Sequence, residues 1–223
     1  MSRLIIFDVD GTLSDSMGTI VHAWREAIRQ SSLPEATDAA LRHGIGRSIP
    51  ECFSELYPHA SSEQYDMFAA HYRTIYRAMV VGQEPPLYDG VRETLQALQK
   101  GGHTLAIATG KSRAGLDRML DAHGLRQAFQ STMSGDQARS KPHPEMIERI
   151  LLETGMAPQE AIMVGDTTYD LLMARAAGVR SVAVTYGGHD RDTLLACAPD
   201  HMIDDIQELV PWVIGKKLPS PPH

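Results

Sequence analysis

The chain opens with Leu4-Ile5-Ile6-Phe7-Asp8-Val9-Asp10-Gly11-Thr12-Leu13. An apolar run of this length reads as a buried strand, and it stops in two carboxylates one residue apart, followed by a glycine turn. Residues i and i+2 of a strand point to one side, so Asp8 and Asp10 are expected to leave its C-terminal end together. Like charges that close raise each other's ionisation cost unless a cation or a shared proton compensates. At the carboxyl end of an α/β strand, where ligands bind, the pair reads as a nucleophile and an acid/base partner around a metal. An Asp-rich turn without chemistry would use the same residue types.

Three later segments repeat the arrangement. Leu105-Ala106-Ile107-Ala108 runs into Thr109-Gly110-Lys111-Ser112. Ser140-Lys141-Pro142-His143-Pro144-Glu145 opens an amphipathic helix, and Ala161-Ile162-Met163-Val164 runs into Gly165-Asp166-Thr167-Thr168-Tyr169-Asp170. Each puts a hydroxyl, a cation or a carboxylate pair just after a strand or before a helix. With Asp8 and Asp10 first, then Thr109, then Lys141, then Asp166 with Asp170, the chain resembles the haloacid dehalogenase superfamily of aspartate-nucleophile phosphohydrolases. The resemblance runs from about Arg3 to about Leu209 and rests on four motifs in order.

Between Ser16 and Gly82 the pattern is helical. Ile20, Val21, Trp24, Ala27 and Ile28 share one helical face, and Tyr65, Phe68, Ala69, Tyr72, Ile75, Tyr76 and Met79 recur at helical spacing before Pro85-Pro86 forces an extended return. From Gly90 onward helices and short apolar strands alternate, which indicates a parallel sheet covered on both faces. The expected fold is therefore α/β: a Rossmann-like core of residues 1–15 and 83–215, an inserted all-helical block of 16–82 over the first strand, and a loosely ordered tail at 216–223. The resembling family carries a helical cap at this place.

Bulk properties exclude other classes. A net charge of −7 lacks the basic face of a non-specific nucleic-acid binder. No stretch approaches the ~20 apolar residues of a membrane span, and no leader pattern precedes Asp8. Cys52 and Cys197 fit no metal spacing and are expected as reduced thiols in a cytoplasmic protein, monomer or homodimer.

Asp8 reads as the nucleophile and Asp10 as the general acid/base. Hard oxygen ligands without a His or Cys cluster favour Mg²⁺. Asp166 is the expected further ligand, and the resemblance adds the backbone carbonyl of Asp10. Asp170, one turn beyond Asp166, either ligates the ion directly or through water, or caps its own helix. Thr109 and the Gly110 N–H suit phosphate oxygens, although Thr109 could instead cap the following helix. Lys141 would neutralise a carboxylate–phosphate adduct; alone it would be a solvated surface lysine. Lys111 lies near the same rim with no role demanded of it. In the helical block, Arg47 within Gly44-Ile45-Gly46-Arg47-Ser48 is suited to hold an anionic part of a substrate; otherwise it is an exposed loop arginine.

The resemblance implies a Mg²⁺-dependent phosphatase of a small phosphorylated metabolite, closest in character to phosphoglycolate phosphatases. A β-phosphoglucomutase-like mutase, or a pyrophosphatase or nucleotidase on the same scaffold, is the alternative. Those mutases usually place a His where Ile20 stands here, and His22 is displaced by two positions. A metal-free dehalogenase is disfavoured by Asp10, Asp166 and Asp170, and a sugar-phosphate-responsive binding protein by the retained Asp8, Asp10, Lys141 and Asp166.

Overall fold

A computed structural model describes residues 2–215; the predicted tail lies outside them. Six parallel strands form one sheet: β1 (Leu4–Phe7), β2 (Thr104–Ala108), β3 (Ser131–Met133), β4 (Ala161–Gly165), β5 (Arg180–Val184) and β6 (His201–Ile203), in the order β3-β2-β1-β4-β5-β6. The central strands β1 and β4 are apolar and buried throughout because both faces are covered, as parallel sheets require. Alternation along β1 divides the core. Ile5 and Phe7 join Leu95 and Leu98 of α5 (Val91–Lys100), Leu116 of α6 (Arg113–Ala122) and Trp212 of α10 (Leu209–Gly215). Leu4 and Ile6 join Ile147 and Ile150 of α7 (Glu145–Thr154) and Met173 of α8 (Thr168–Ala176). The helix α9 (Arg191–Ala196) packs Leu194 on β5 through Ala183.

Four helices lie between β1 and α5: α1 (Met17–Gln30), α2 (Asp38–Gly44), α3 (Ile49–Leu56) and α4 (Ser62–Val80). They share a hydrophobic cluster of their own, centred on Trp24, Phe53, Phe68 and Tyr72. Trp24 lies 4.7 Å from Phe68 and 5.8 Å from Tyr72 between ring centroids. The helical periodicity of α1 and α4 thus reports an apolar seam, and among the described residues no other helix pair packs as extensively. Ser61 and Gln64 close a capping box that fixes where α4 begins. Among the described residues no helix is long and apolar enough to cross a membrane.

Two elements depart from the sequence expectation. The sheet extends to β6, and α10 returns across it. Three residues of strand and a seven-residue helix are too short to show a period against their surroundings; Ile203, Leu209 and Trp212 declare themselves only by packing on the first core cluster.

Candidate active site

The sheet order reverses its direction of growth between β1 and β4, and the strand ends there form the crevice in which open α/β sheets bind ligands. Asp8 follows β1, Thr109 follows β2 and Asp166 follows β4. Asp8 still takes part in the ladder, its N–H donating to the Val164 carbonyl at 2.9 Å. Its side chain therefore keeps to the face of Leu4 and Ile6, toward α7 and α8.

There it meets Lys141 and Asp170. Lys141 Nζ donates to Asp8 Oδ1 and to Asp170 Oδ1, both at 2.6 Å, and all three side chains are sealed from solvent. Lys141 is thus a buried, doubly paired cation and no surface lysine. Burial works against its ammonium, but Asp170 and Asp8 outweigh burial and hold its pKa above the ordinary value. Asp8 is also shifted upward, but in its case the shift favours the neutral form. Burial raises its carboxyl well above the usual range; Lys141 pulls it back, while Asp170, Asp166 and Asp10 push it further up.

Asp166 completes the cluster. Its Oδ1 accepts from the Thr12 hydroxyl at 2.8 Å and its Oδ2 from the Gly188 N–H at 2.7 Å. Burial, helped by Asp170, still raises its pKa to about 7. Gly11 makes this closeness possible: with φ at +89°, a Cβ there would lie 2.1 Å from Asp166 Oδ2. Only glycine accommodates both the turn and the contact. Asp8, Asp166 and Asp170 each offer a carboxylate oxygen within 4.8 Å of the others. Ionising all three carboxylates against one ammonium would leave an excess of negative charge in a dry site, which is why burial raises Asp8 and Asp166. Asp8 Oδ2, moreover, is buried without a hydrogen-bond partner. An all-oxygen donor set with one orphaned oxygen fits a hard divalent cation.

Asp170 caps its own helix, one of the roles the sequence left open, and also pairs with Lys141. Its Oδ1 faces Lys141, while its Oδ2 accepts from the Thr167 N–H at 3.2 Å and the Thr167 hydroxyl at 2.6 Å, capping α8. Thr109, by contrast, is not a helix cap. Ser112 caps α6 by accepting from Gly115 N–H, and Thr109 is buried with its Oγ1 accepting from Lys111 N–H at 3.3 Å.

Asp10 belongs to a different set of partners. Its Oδ1 lies 2.7 Å from Lys111 Nζ and accepts from the Ser16 hydroxyl. Lys111 Nζ in turn donates to the Tyr76 hydroxyl of α4 at 3.3 Å. The two aspartates therefore leave one strand end but are served by two cations, Lys141 and Lys111. Sequence reasoning gave Lys111 no role; its signal was its place two residues after Thr109 at the end of β2. Ser16 and Thr12 were also missed, being ordinary hydroxyls until folding sets them against carboxylates.

The helical block closes over this crevice. Ser48 N–H donates to Ser140 Oγ at 2.8 Å, and a Cβ at Gly110 would stand 2.5 Å from the Arg47 carbonyl oxygen. His43 of α2 stacks on His189 with centroids 5.0 Å apart. Arg47 is no exposed loop residue: it is paired with Glu55, lies 4.5 Å over the Tyr169 ring and has a buried Nε without an acceptor. Between block and sheet lies a partly open cavity of ≈ 760 Å³ whose lining includes Asp8, Asp10, Gly110, Lys111, Arg47 and Tyr76.

This arrangement has known relatives. The profile of the haloacid dehalogenase-like hydrolases matches residues 5–184. The chain belongs to this family. It is 38% identical to "Probable phosphatase IndB" of Dickeya dadantii strain 3937 over 213 residues, covering 94% of this chain and 93% of the relative. It is 34% identical to a phosphoglycolate phosphatase of Agrobacterium fabrum over 221 residues, covering 97% and 94%. A hydrolase from Pseudomonas syringae of known structure superposes with a TM-score of 0.86 at 25% identity, covering 95% of this chain and 98% of that one. As a haloacid dehalogenase-like hydrolase, the chain is an enzyme by family, and its parallel α/β sheet is the fold of these neighbours.

Proposed function

We propose that this haloacid dehalogenase-like hydrolase is a Mg²⁺-dependent phosphatase that cleaves small phosphate monoesters through a phosphorylated Asp8. The observation that carries the reading is Asp8 itself, a buried carboxylate with one oxygen held by Lys141 and the other unpartnered, beside Asp10 at the cavity floor. The names of the relatives support the same chemistry.

Asp8, Asp166 and Asp170 would hold the ion, together with the backbone carbonyl of Asp10 that the family resemblance adds; their oxygen-only character suits Mg²⁺. When bound, such an ion offsets the repulsion between Asp8 and a phosphate dianion. An Asp8 oxygen attacks phosphorus and the bond to the leaving oxygen breaks, with Asp10 giving that oxygen its proton. Asp10 then takes a proton from water as the water attacks the phosphorus and releases inorganic phosphate, freeing Asp8. Lys141 compensates charge on Asp8 throughout, and Thr109 with the Gly110 N–H supplies donors near the phosphate. Residues 16–82 act as a cap that excludes water; 1–15 with 83–215 form the catalytic core.

Mutase chemistry is disfavoured by the cap. Ile20 lines the cavity, and His22, two positions on, is exposed on the other side of α1. The test is phosphate release from a panel of monoesters with Mg²⁺ and with EDTA. Release that needs Mg²⁺ supports the reading; release undiminished in EDTA would refute it.

A further inference from the structure

We propose that the cavity selects phosphate monoesters whose alcohol carries an uncharged planar ring, such as an arylmethyl or nucleoside group, over small acids such as phosphoglycolate. This deepens the phosphatase reading and rests on it. The cavity is large for a small acid. A volume of ≈ 760 Å³ falls within the roughly 300–1,000 Å³ of sites that enclose drug-sized ligands, far more than a two-carbon acid fills.

One wall of the cavity is aromatic. Trp24, Tyr72 and Tyr76 form a row of rings along α1 and α4, with 5.8 Å between successive centroids. All three line the cavity, as do Ile20, Leu41 and Ile45. Such a wall repays the transfer of an apolar ring from water and offers it offset or edge contacts.

Among the described residues, the charges of the lining offer no free buried cation for a second acid. A substrate with a second anion needs a cation to replace its lost hydration. The less exposed cations of the lining are already paired: Arg47 with Glu55 and the Tyr169 face, Lys111 with Asp10, and half-buried Arg118 with Glu84. Arg47 Nε lacks an acceptor but also lacks access to solvent. Arg73 and Arg77, the remaining cations of the lining, are both exposed, where water and salt screen what they could offer a carboxylate. Arg47 therefore closes the wall and does not anchor a second acid.

The experiment compares benzyl phosphate, uridine 5′-monophosphate, methyl phosphate and phosphoglycolate on the Mg²⁺-loaded protein. All four are esters of aliphatic hydroxyls and leave as alcohols once Asp10 protonates them, so the comparison isolates the group beyond the reacting oxygen. Each ring-bearing ester is expected to exceed phosphoglycolate in kcat/KM by about tenfold or more, the scale on which apolar pockets discriminate. Calorimetry with the matching inert phosphonates reads the same preference without turnover: 2-phenylethylphosphonate is expected to bind more tightly than 3-phosphonopropionate. Trp24→Leu should lower the benzyl-to-methyl ratio, and Tyr76→Leu serves if that variant does not fold. Phosphoglycolate equal to or better than both ring esters, or 3-phosphonopropionate binding as tightly, overturns the proposal. If no ester is hydrolysed, the phosphatase reading falls, while the phosphonate pair still decides what the cavity prefers.

Discussion

Lys111 and Asp10 form an ion pair of 2.7 Å with side chains only 9% and 10% exposed, and the same ammonium reaches the Tyr76 hydroxyl of α4. One lysine thus joins the proposed acid/base residue of the sheet to the helical block above it. A pair this enclosed is costly to break on one side, because the remaining charge stays dry.

Lys111→Met is accordingly expected to destabilise the protein by about 3 kcal/mol, read from the urea midpoint. The double variant Lys111→Met with Asp10→Asn should recover most of that loss, since no buried charge is left alone. Equal stability of the single and double variants would show that Asp10 left without Lys111 carries no buried-charge penalty.

Asp8→Asn should abolish turnover by roughly three decades or more and keep the fold, since the amide is nearly isosteric yet a poor nucleophile. It should not destabilise the metal-free protein strongly, because burial already disfavours the charged form of Asp8. Phosphate release and circular dichroism on the same preparation check both halves.

Mg²⁺ should raise the melting temperature of the native protein and not that of Asp166→Asn. In the metal-free state Asp166 titrates at about 7, above its unfolded value, so at pH 6 the ion must displace a proton. Apparent Mg²⁺ affinity should therefore rise between pH 6 and pH 8, with protons released at the lower end. Calorimetry in two buffers of different ionisation enthalpy measures that release. Asp170→Asn should weaken binding and also lower stability, as Asp170 both pairs Lys141 and accepts from Thr167 at the start of α8.

Cys52 is expected to resist thiol reagents at pH 8. Burial pushes its thiol up to about 12, and its Sγ–H donates to the Gly44 carbonyl at 2.7 Å, so the reactive thiolate is scarce. Half-buried Cys197 should label in the native protein, and a second label should appear only in guanidinium. Two rapid native labels would contradict the packing of α3 against the Gly44 turn.

By itself the sequence determined the parallel α/β class, the helical block after β1, and the identity of Asp8, Asp10, Thr109, Lys141, Asp166 and Asp170 as the residues worth watching. Those features are local: an apolar run, a period, a carboxylate after a strand. Tertiary structure decided everything that depends on pairing across the chain. Lys141 is buried because Asp8 and Asp170, 133 and 29 residues away, both accept its protons. Lys111 matters because folding sets it against Asp10, and Arg47 is charge-compensated because Glu55 lies beside it two turns along. A residue's charge is written in the sequence; what compensates that charge depends on distance and on the exclusion of water, which only the folded chain sets.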